Sequence, residues 1–404
     1  MPPPINTLEK GEETMNKLPG FGLIERARAL APLIASEADE IERTRRLTPP
    51  VVAGLIENGL YRVLLPQSVG GAEASLEVFM DMLEQVAMAD ASTAWCLGQC
   101  SVCAMTAAYL DPDTAREIFG PANGILAWGA ISGEVQVVPG GYRAHGRWNF
   151  ASGSRQASWL GAHVGVVEAD GTKRLKADGT PEIRTIVFPL ASATMYDVWE
   201  VIGLKGTGTD SYSVDNLFIA DRFSAIRDDP AAVREKGPLY QLSTNIVFGM
   251  GFASVAVGVA RATLDAATDL ARSKTPQGLK AMHQNSAVQG AIGRAEGNLR
   301  AARAYLHATA AEVWHDLTQT GKYTEAHRIA LRLASTWTIH QATAVVDAAY
   351  HMAGATAVFA ANKFERRFRD MHAIAQQIQA RDTHYEDVGR ALLATAPAAS
   401  SKVT

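Results

Sequence analysis

The chain has 404 residues, a formal net charge of -4 at pH 7, 47% hydrophobic residues and 20% charged residues. This length suits two or three domains with a large buried core, and the composition is that of a soluble globular protein. No strongly basic region stands out, which argues against nucleic acid as a partner. No apolar run reaches the roughly 20 residues of a membrane span. Three cysteines fit a reducing compartment, so we expect a cytoplasmic protein without a disulfide scaffold.

The first 121 residues are predicted to form a disordered start and a helical domain. The stretch 1–20 is Pro-rich and charged and lacks the apolar core of a secretion signal, and we expect it to be disordered. From residue 21 to 121, Ala, Leu and Ile recur at three- and four-residue spacing, which is typical of amphipathic helices. Thr48-Pro49-Pro50 indicates a helix start, since proline is tolerated in the first turn.

Residues 122–229 are predicted to form a middle β domain. Gly, Val, Thr and aromatic residues become frequent there, and turn residues separate short runs with strand character. The predicted strands are 124–132, 135–138, 142–150, 159–167, 183–189 and 212–219.

Residues 230–404 are predicted to form a C-terminal helical bundle. The long segments rich in Ala and in spaced Leu, Ile and Val are 239–273, 286–318, 324–352 and 372–395. Such lengths suit an up-and-down bundle. Small residues between 249 and 258 permit close helix approach, which is consistent with burial in an oligomer core.

The segment from Gly140 to Trp159 carries the strongest functional signal. A Gly-Gly turn leads into a strand that delivers Trp148, Phe150 and Ser152 onto a Gly-Ser loop. An aromatic residue two positions before a small hydroxyl can stack on a flat ring and hydrogen-bond its edge. A β-hairpin with a buried aromatic residue explains the same pattern equally well.

Several motifs, in the right order, resemble the acyl-CoA dehydrogenase superfamily. They are Gly59–Pro66 followed by Gly70-Gly71, the G-L-K-G-T-G-T run from Gly203, and the R-x-x-R-D pattern within Phe364–Asp370. The resemblance covers about residues 23–395. It implies an α+β, mostly α fold: an N-terminal helical domain, a β-barrel-like middle domain and a C-terminal four-helix bundle that assembles a homotetramer.

Within that superfamily, Gly146–Gly153 looks most like the oxygenase components of two-component flavin-dependent monooxygenases. The resemblance implies hydroxylation of a hydrophobic, phenol- or indole-like aromatic with molecular oxygen. Reduced FMN or FAD would come from a separate reductase. Phe150 would lie against the flavin ring and Ser152 near its N5 edge.

Three further residues are assigned to the cofactor on the same resemblance. Arg272 is similar to the arginine that meets flavin phosphate, and its bidentate charge suits that role. Its alternative role is to offset the dipole at a helix C-terminus. Trp128 would line the flavin pocket, although core packing explains it as well. Arg369, in the R-x-x-R-D segment, is the third.

The catalytic pattern of such monooxygenases is incomplete here. They usually carry a histidine seven residues after the Asp of the R-D pair, and this chain has Gln377 there. Glutamine can donate and accept hydrogen bonds but does not titrate near neutral pH. His372 is a fallback acid or base, with a structural histidine at a helix start as the alternative. We predict that Gln377 and Ser152 hydrogen-bond the reacting end of the flavin.

Two other functions stay open at this stage. A flavin dehydrogenase would act on an acyl thioester or another C–C or C–N bond, but Glu386 lacks the Gly-Thr neighbours that position the carboxylate of such enzymes. A non-enzymatic flavin-binding or scaffold protein is the other.

Two motifs are set aside. Cys96, Cys100 and Cys103 match an iron–sulfur spacing, but in a helical pattern these positions share one face, which predicts a buried cysteine seam. The G-x-x-G-x-G run from Gly203 precedes a strand and not the helix that a dinucleotide fingerprint requires.

Overall fold

The computed structural model describes residues 20–130 and 133–394. Apart from Gly20, the predicted disordered start lies outside the described residues. So do positions 131 and 132 of the first predicted strand and position 395 of the last predicted helix. The described chain is helical, then β, then helical again, which confirms the predicted fold class.

Helices make up most of the chain before the sheet. They are α1 (Gly22–Thr44), α2 (Pro49–Glu57), α3 (Leu76–Ala89), α4 (Ala91–Ala104) and α5 (Pro112–Phe119). The Ser75 hydroxyl caps α3 by accepting from Val78 N–H, and the Asp90 carboxylate caps α4 by accepting from Thr93 N–H at 2.7 Å. Every residue of α4 is buried. This helix therefore carries Trp95 and the three cysteines through the interior of the molecule.

The strands between residues 126 and 225 form one sheet. They are β1 (Leu126–Trp128), β2 (Glu134–Val138), β3 (Gly141–Ala151), β4 (Trp159–Val167), β5 (Ile183–Pro189), β6 (Thr194–Tyr196), β7 (Asp210–Ala220) and β8 (Ser224–Ala225). Their order is β6-β7-β3-β2-β4-β5-β8, with β1 beside β4. The antiparallel pair β3–β7 shifts register between Trp148 and Ala151. Such a bulge re-aims side chains, and this one contains Phe150 and leads to Ser152.

Long helices follow the sheet. They are α6 (Thr244–Ser273), α7 (Ser286–Thr320), α8 (Glu325–Ala353), α9 (Lys363–Ile374) and α10 (Thr383–Ala394). Helix α6 packs against α3, α4 and α8. By length and composition α6 could cross a membrane, but 94% of its apolar window is buried inside the protein. Its apolar surface is therefore that of a core helix.

The prediction of one helix over 372–395 is wrong. Helix α9 ends at Ile374, and α10 begins only after a break. Within the break, the Thr336 hydroxyl of α8 donates to the Gln379 carbonyl at 2.8 Å. Local turns replace the helical bonds there, for example the bond from Ala380 N–H to the Gln377 carbonyl at 3.1 Å. Gln377 therefore lies in an irregular segment.

Candidate functional site

Ser152 lies buried just after β3, where the sheet meets α4. The Trp95 indole N–H donates to Ser152 Oγ at 3.0 Å, and Ser152 Oγ lies 2.7 Å from Thr209 Oγ1. Thr209 Oγ1 is in turn 2.7 Å from Thr207 Oγ1, which donates to the Leu204 carbonyl at 2.8 Å. The Ser152 hydroxyl is thus fixed by a continuous chain of hydrogen bonds to the loop before β7.

Phe150 is exposed on the bulge just before Ser152. It has a φ of 63°, and its side chain is 66% exposed. A positive φ is uncommon for an aromatic residue, and such strained positions concentrate at functional sites. The ring of Trp199 meets it edge-on at 6.4 Å. The Phe150 ring is therefore open to a planar ligand in the single chain.

Gln377 has an unsatisfied amide donor. Its Nε2 is buried and has no hydrogen-bond partner among the described residues. Buried polar groups are normally paired, so an orphaned donor is a feature that a ligand could explain. Sequence analysis assigned this amide to the flavin, and the orphaned donor fits that assignment.

His372 is engaged by neighbouring side chains. Its Nε2 lies 2.9 Å from Asp347 Oδ1, and its ring packs 4.4 Å from the ring of Phe368. These contacts are typical of a structural histidine, but His372 lies in the last turn of α9, so the expected position at a helix start is wrong. A role as acid or base stays a prediction.

The two arginines assigned to the flavin lie in different environments. Arg369 binds Glu42 and Glu365 and donates to the Ile202 carbonyl at 2.5 Å. Its guanidinium therefore links α1, α9 and the loop before β7, and these protein contacts leave it little capacity for a phosphate. Arg272, at the end of α6, pairs only at the surface with Asp269 and is 72% exposed. It remains available to a ligand.

The loop before β7 is also held by charged groups. Leu204 N–H donates to Asp370 Oδ1 at 2.6 Å, and burial raises the pKa of Asp370 to about 7. Arg155 binds both oxygens of Asp210, at 2.8 and 2.9 Å. Gly203 is required for close approach, because a Cβ there would lie 2.1 Å from the Arg369 carbonyl oxygen. The segment that contacts Ser152 is therefore rigidly placed between the sheet and α9.

Aromatic rings line the interior beside Ser152. Trp95 stacks on Phe252 at 3.8 Å, Phe252 stacks on Phe248 at 5.6 Å, and Phe248 meets Trp128 edge-on at 6.3 Å. Trp128 is buried in this row of rings, so core packing accounts for it. A pocket-lining role stays a prediction.

A cavity of about 360 Å³ lies near the far end of the aromatic row, lined in part by His163 and Arg227. Trp128 packs between these two residues, 4.8 Å from the ring of His163 and 4.9 Å from the Arg227 guanidinium carbon. Burial and the charge of Arg227 hold the pKa of His163 well below its usual value. This histidine is therefore neutral near pH 7.

The three cysteines lie together on α4, buried and free of disulfides. Burial raises the pKa of Cys96 to about 12 and also raises the pKa values of Cys100 and Cys103. The groups are therefore protonated thiols near neutral pH. This matches the predicted buried seam.

Trp95, Thr207 and Thr209 are partners of Ser152 that were not predicted from the sequence. The two threonines belong to the G-T-G-T run that carries the resemblance. The small hydroxyl residues in that run were the available signal.

Comparison with known proteins agrees with this architecture. The family model described as "Acyl-CoA dehydrogenase, N-terminal domain" matches residues 24–116, and "Acyl-CoA dehydrogenase, C-terminal domain" matches residues 250–381. The chain belongs to the acyl-CoA dehydrogenase superfamily, as the motifs predicted. Within it, the chain falls with the flavin-dependent monooxygenases.

The placement among the flavin-dependent monooxygenases rests on relatives that are similar to this protein over most of its length. Indole-3-acetate monooxygenase of Pseudomonas putida is 26% identical over 87% of this chain and 88% of that protein. The oxygenase subunit HsaA of Rhodococcus jostii, a flavin-dependent monooxygenase, is 25% identical over 87% of this chain and 92% of its own length. The solved structure of XiaF from Streptomyces sp. superposes with a TM-score of 0.85 at 20% identity, over 97% of this chain and 98% of XiaF, and shows the same fold.

Proposed function

We propose that this protein is the oxygenase component of a two-component flavin-dependent monooxygenase. Its substrate would be a hydrophobic aromatic compound, phenol- or indole-like. Molecular oxygen and reduced FMN or FAD, the latter delivered by a separate reductase, would be co-substrates. The names of the relatives support this function, since one acts on indole-3-acetate and another is a flavin-dependent oxygenase subunit. The XiaF structure contains FADH2.

The observation that carries the proposal is the arrangement of Phe150 and Ser152. The bulge exposes the Phe150 ring, which can stack on a planar ligand, while Ser152 is fixed two residues later. Gln377 adds a buried donor without a protein partner. When bound there, the reduced flavin would supply the activation of oxygen. The protein would bind it, orient its edge and keep water from the reacting atoms.

The alternative of an acyl-CoA dehydrogenase-like enzyme lacks such support. Glu386, the carboxylate considered for proton abstraction, is exposed on α10. A base in that reaction works in a site from which water is excluded. Glu386 also lacks the Gly-Thr neighbours that position the carboxylate of such enzymes, and this favours the monooxygenase.

The direct test is an anaerobic titration of the apoprotein with reduced FMN and with FADH2, followed by mixing with oxygen. We expect saturable binding of at least one reduced flavin and a transient absorbance that differs from both the reduced and the oxidised flavin. With indole-3-acetate as the probe aromatic and isotopically labelled oxygen, mass spectrometry should detect one labelled oxygen atom in a product. Failure of the protein to bind either reduced flavin would refute the proposal. Bleaching of bound oxidised flavin by an acyl-CoA would favour the dehydrogenase.

The Gln377→Ala variant tests the amide separately. Loss of the amide should weaken binding of reduced flavin and lower the fraction of oxygen used for hydroxylation, because the orphaned donor disappears. Gln377→Glu keeps the size of the side chain but replaces the donor by a carboxylate that only accepts, so it should weaken binding as well and separates loss of the donor from loss of volume. Unchanged turnover and unchanged coupling in Gln377→Ala would show that the amide does not meet the flavin.

We also propose a cytoplasmic homotetramer formed through the C-terminal helices. Large apolar side chains are exposed on this part of the chain, including Val358 at 70%, Phe359 at 64% and Leu393 at 88%. Contiguous exposed apolar surface marks protein contacts. Native mass spectrometry should detect a species of four times the chain mass, and a monomer at micromolar concentration would contradict the assembly.

A further inference from the structure

The direction of each hydrogen bond is fixed in the series that leads from Trp95 to Leu204. We call this series the hydroxyl relay. Its members are Trp95, Ser152, Thr209, Thr207 and the Leu204 carbonyl. Its first group is an indole N–H, which can only donate, and its last is a carbonyl oxygen, which can only accept. The three hydroxyls between them carry one hydrogen each. The relay is dry, with relative exposures of 5% for Ser152, 3% for Thr209 and 1% for Thr207.

The last contact determines all the others. Thr207 Oγ1 and the Leu204 oxygen are 2.8 Å apart, so the Thr207 hydrogen must lie between them to prevent repulsion of two lone pairs. Thr209 must then supply the hydrogen for its 2.7 Å contact with Thr207. By the same reasoning, the Ser152 hydrogen is committed to Thr209.

Ser152 is therefore left with acceptor capacity only. Its oxygen accepts from the Trp95 N–H, its hydrogen points at Thr209, and one lone pair remains. A ligand group that meets Ser152 Oγ must bring a hydrogen of its own. A ligand atom that can only accept would be repelled, because its lone pair would face the free lone pair of Ser152 Oγ.

We propose that the hydroxyl relay makes the site selective for reduced flavin, with Thr209 and Thr207 as positioning residues that act through Ser152. This inference rests on the proposed function, which places Ser152 at the flavin N5 edge. Reduced flavin carries a hydrogen on N5 and can donate, whereas oxidised flavin presents an N5 lone pair and can only accept. The relay thus matches the form that a reductase delivers and disfavours the spent, oxidised form.

The test is the ratio of the two dissociation constants in Thr209→Val, with Thr209→Ser as the matched control. Valine removes the acceptor for the Ser152 hydrogen, which becomes free to turn towards an oxidised N5. A buried mismatched acceptor costs about 5- to 100-fold in affinity, which sets the scale of the expected change. We expect the ratio of oxidised to reduced dissociation constants to fall at least about 5-fold in Thr209→Val and to stay near wild type in Thr209→Ser.

The midpoint potential of the bound flavin reports the same ratio without the absolute affinities, and a loss of packing that weakens both redox forms equally would leave it unchanged. It should drop towards that of free flavin in Thr209→Val. If that variant does not fold, Thr207→Val interrupts the same relay one step further on and should shift the potential in the same sense.

The outcomes separate this inference from the function on which it rests. A wild-type protein that binds no reduced flavin refutes the proposed function. A wild-type protein that binds reduced flavin, with the same affinity ratio and potential in the folded valine variants, leaves the function intact and overturns the relay.

Discussion

Two sets of contacts with different chemistry hold the loop before β7. The neutral hydroxyl relay joins it to Ser152 through short contacts of 2.7–2.8 Å. Buried carboxyl groups also hold it, through the bond from Leu204 N–H to Asp370 and through the pair formed by Arg155 and Asp210. We call these two contacts, each made by a buried carboxyl group, the carboxyl clamp. The relay determines which way a hydrogen points, whereas the clamp determines where the loop lies.

This difference in chemistry predicts which property a substitution in each set of contacts will change. A buried charge that loses its partner is costly, so the clamp should govern stability. A hydroxyl that loses its partner costs less, but it changes the hydrogen-bond polarity of its neighbour. The relay should therefore affect ligand selectivity more than folding.

The largest effect is expected for Arg155→Leu. Its guanidinium and the Asp210 carboxylate are both buried, with side-chain exposures of 11% and 7%. The substitution leaves Asp210 buried and unpaired, which should lower the free energy of unfolding by about 3–5 kcal/mol. Urea denaturation measures it. Arg116→Leu, which breaks a surface pair with Asp113, should cost at most about 1 kcal/mol. Equal losses in the two variants would contradict the special role of the clamp.

The second effect is a pH dependence that Asp370→Asn should reduce. The pKa of Asp370 is about 7 in the fold, above its ordinary value of 3.8, chiefly because of burial and secondarily because of Asp90. The folded state therefore holds a proton that the unfolded state has lost between these pH values. Stability should fall as pH rises from about 4 to about 7, by up to about 1.4 kcal/mol per pH unit.

The asparagine variant isolates that contribution. Its amide oxygen can still accept from Leu204 N–H, but it has no charge to bury. Urea midpoints measured at several pH values should decline less steeply in this variant than in wild type. Parallel curves would show that Asp370 does not titrate in this range.

Ser152→Ala should have a smaller effect on stability. It leaves the buried Trp95 N–H without its acceptor, which should cost about 1–3 kcal/mol. Thermal unfolding of the flavin-free protein measures this. Ser158→Ala is the comparison, since that serine, in the loop before β4, accepts from Ile125 N–H at 3.2 Å and donates to the Asn123 carbonyl but serves no buried indole. A larger loss at Ser158 would argue against the buried relay.

Much of the architecture could be predicted because periodicity and turn residues are local signals. The strand predicted at 159–167 is β4 as observed, and the helix predicted at 324–352 is α8 within one residue. The final helix could not be predicted correctly, because the irregular segment after Ile374 packs against a helix distant in sequence, where the Thr336 hydroxyl donates to the Gln379 carbonyl. Tertiary bonds of that kind leave no mark in a local pattern.

The candidate site was accessible only in part for the same reason. Ser152 stands out in its own segment, but its partners Trp95 and Thr209 are each 57 positions away along the chain. The R-x-x-R-D motif predicted Arg369 as a flavin-binding residue, but in the structure its guanidinium binds Glu42 and Glu365. A motif identifies the residue type, whereas only the fold shows which partners have already used its donors.

Arg272 gives the smallest expected effect on stability and a clear effect on binding. Its pair with Asp269 is exposed on both sides, at 72% and 71%, so Arg272→Gln should change the free energy of unfolding by no more than about 0.5 kcal/mol. If the guanidinium meets the flavin phosphate, the same change removes a charge-assisted bond and should weaken reduced FMN binding by about tenfold. Riboflavin, which has no phosphate, should bind the variant and the wild type alike. An equal loss for riboflavin and FMN would place Arg272 away from the phosphate and leave it as a charge at the C-terminal end of α6.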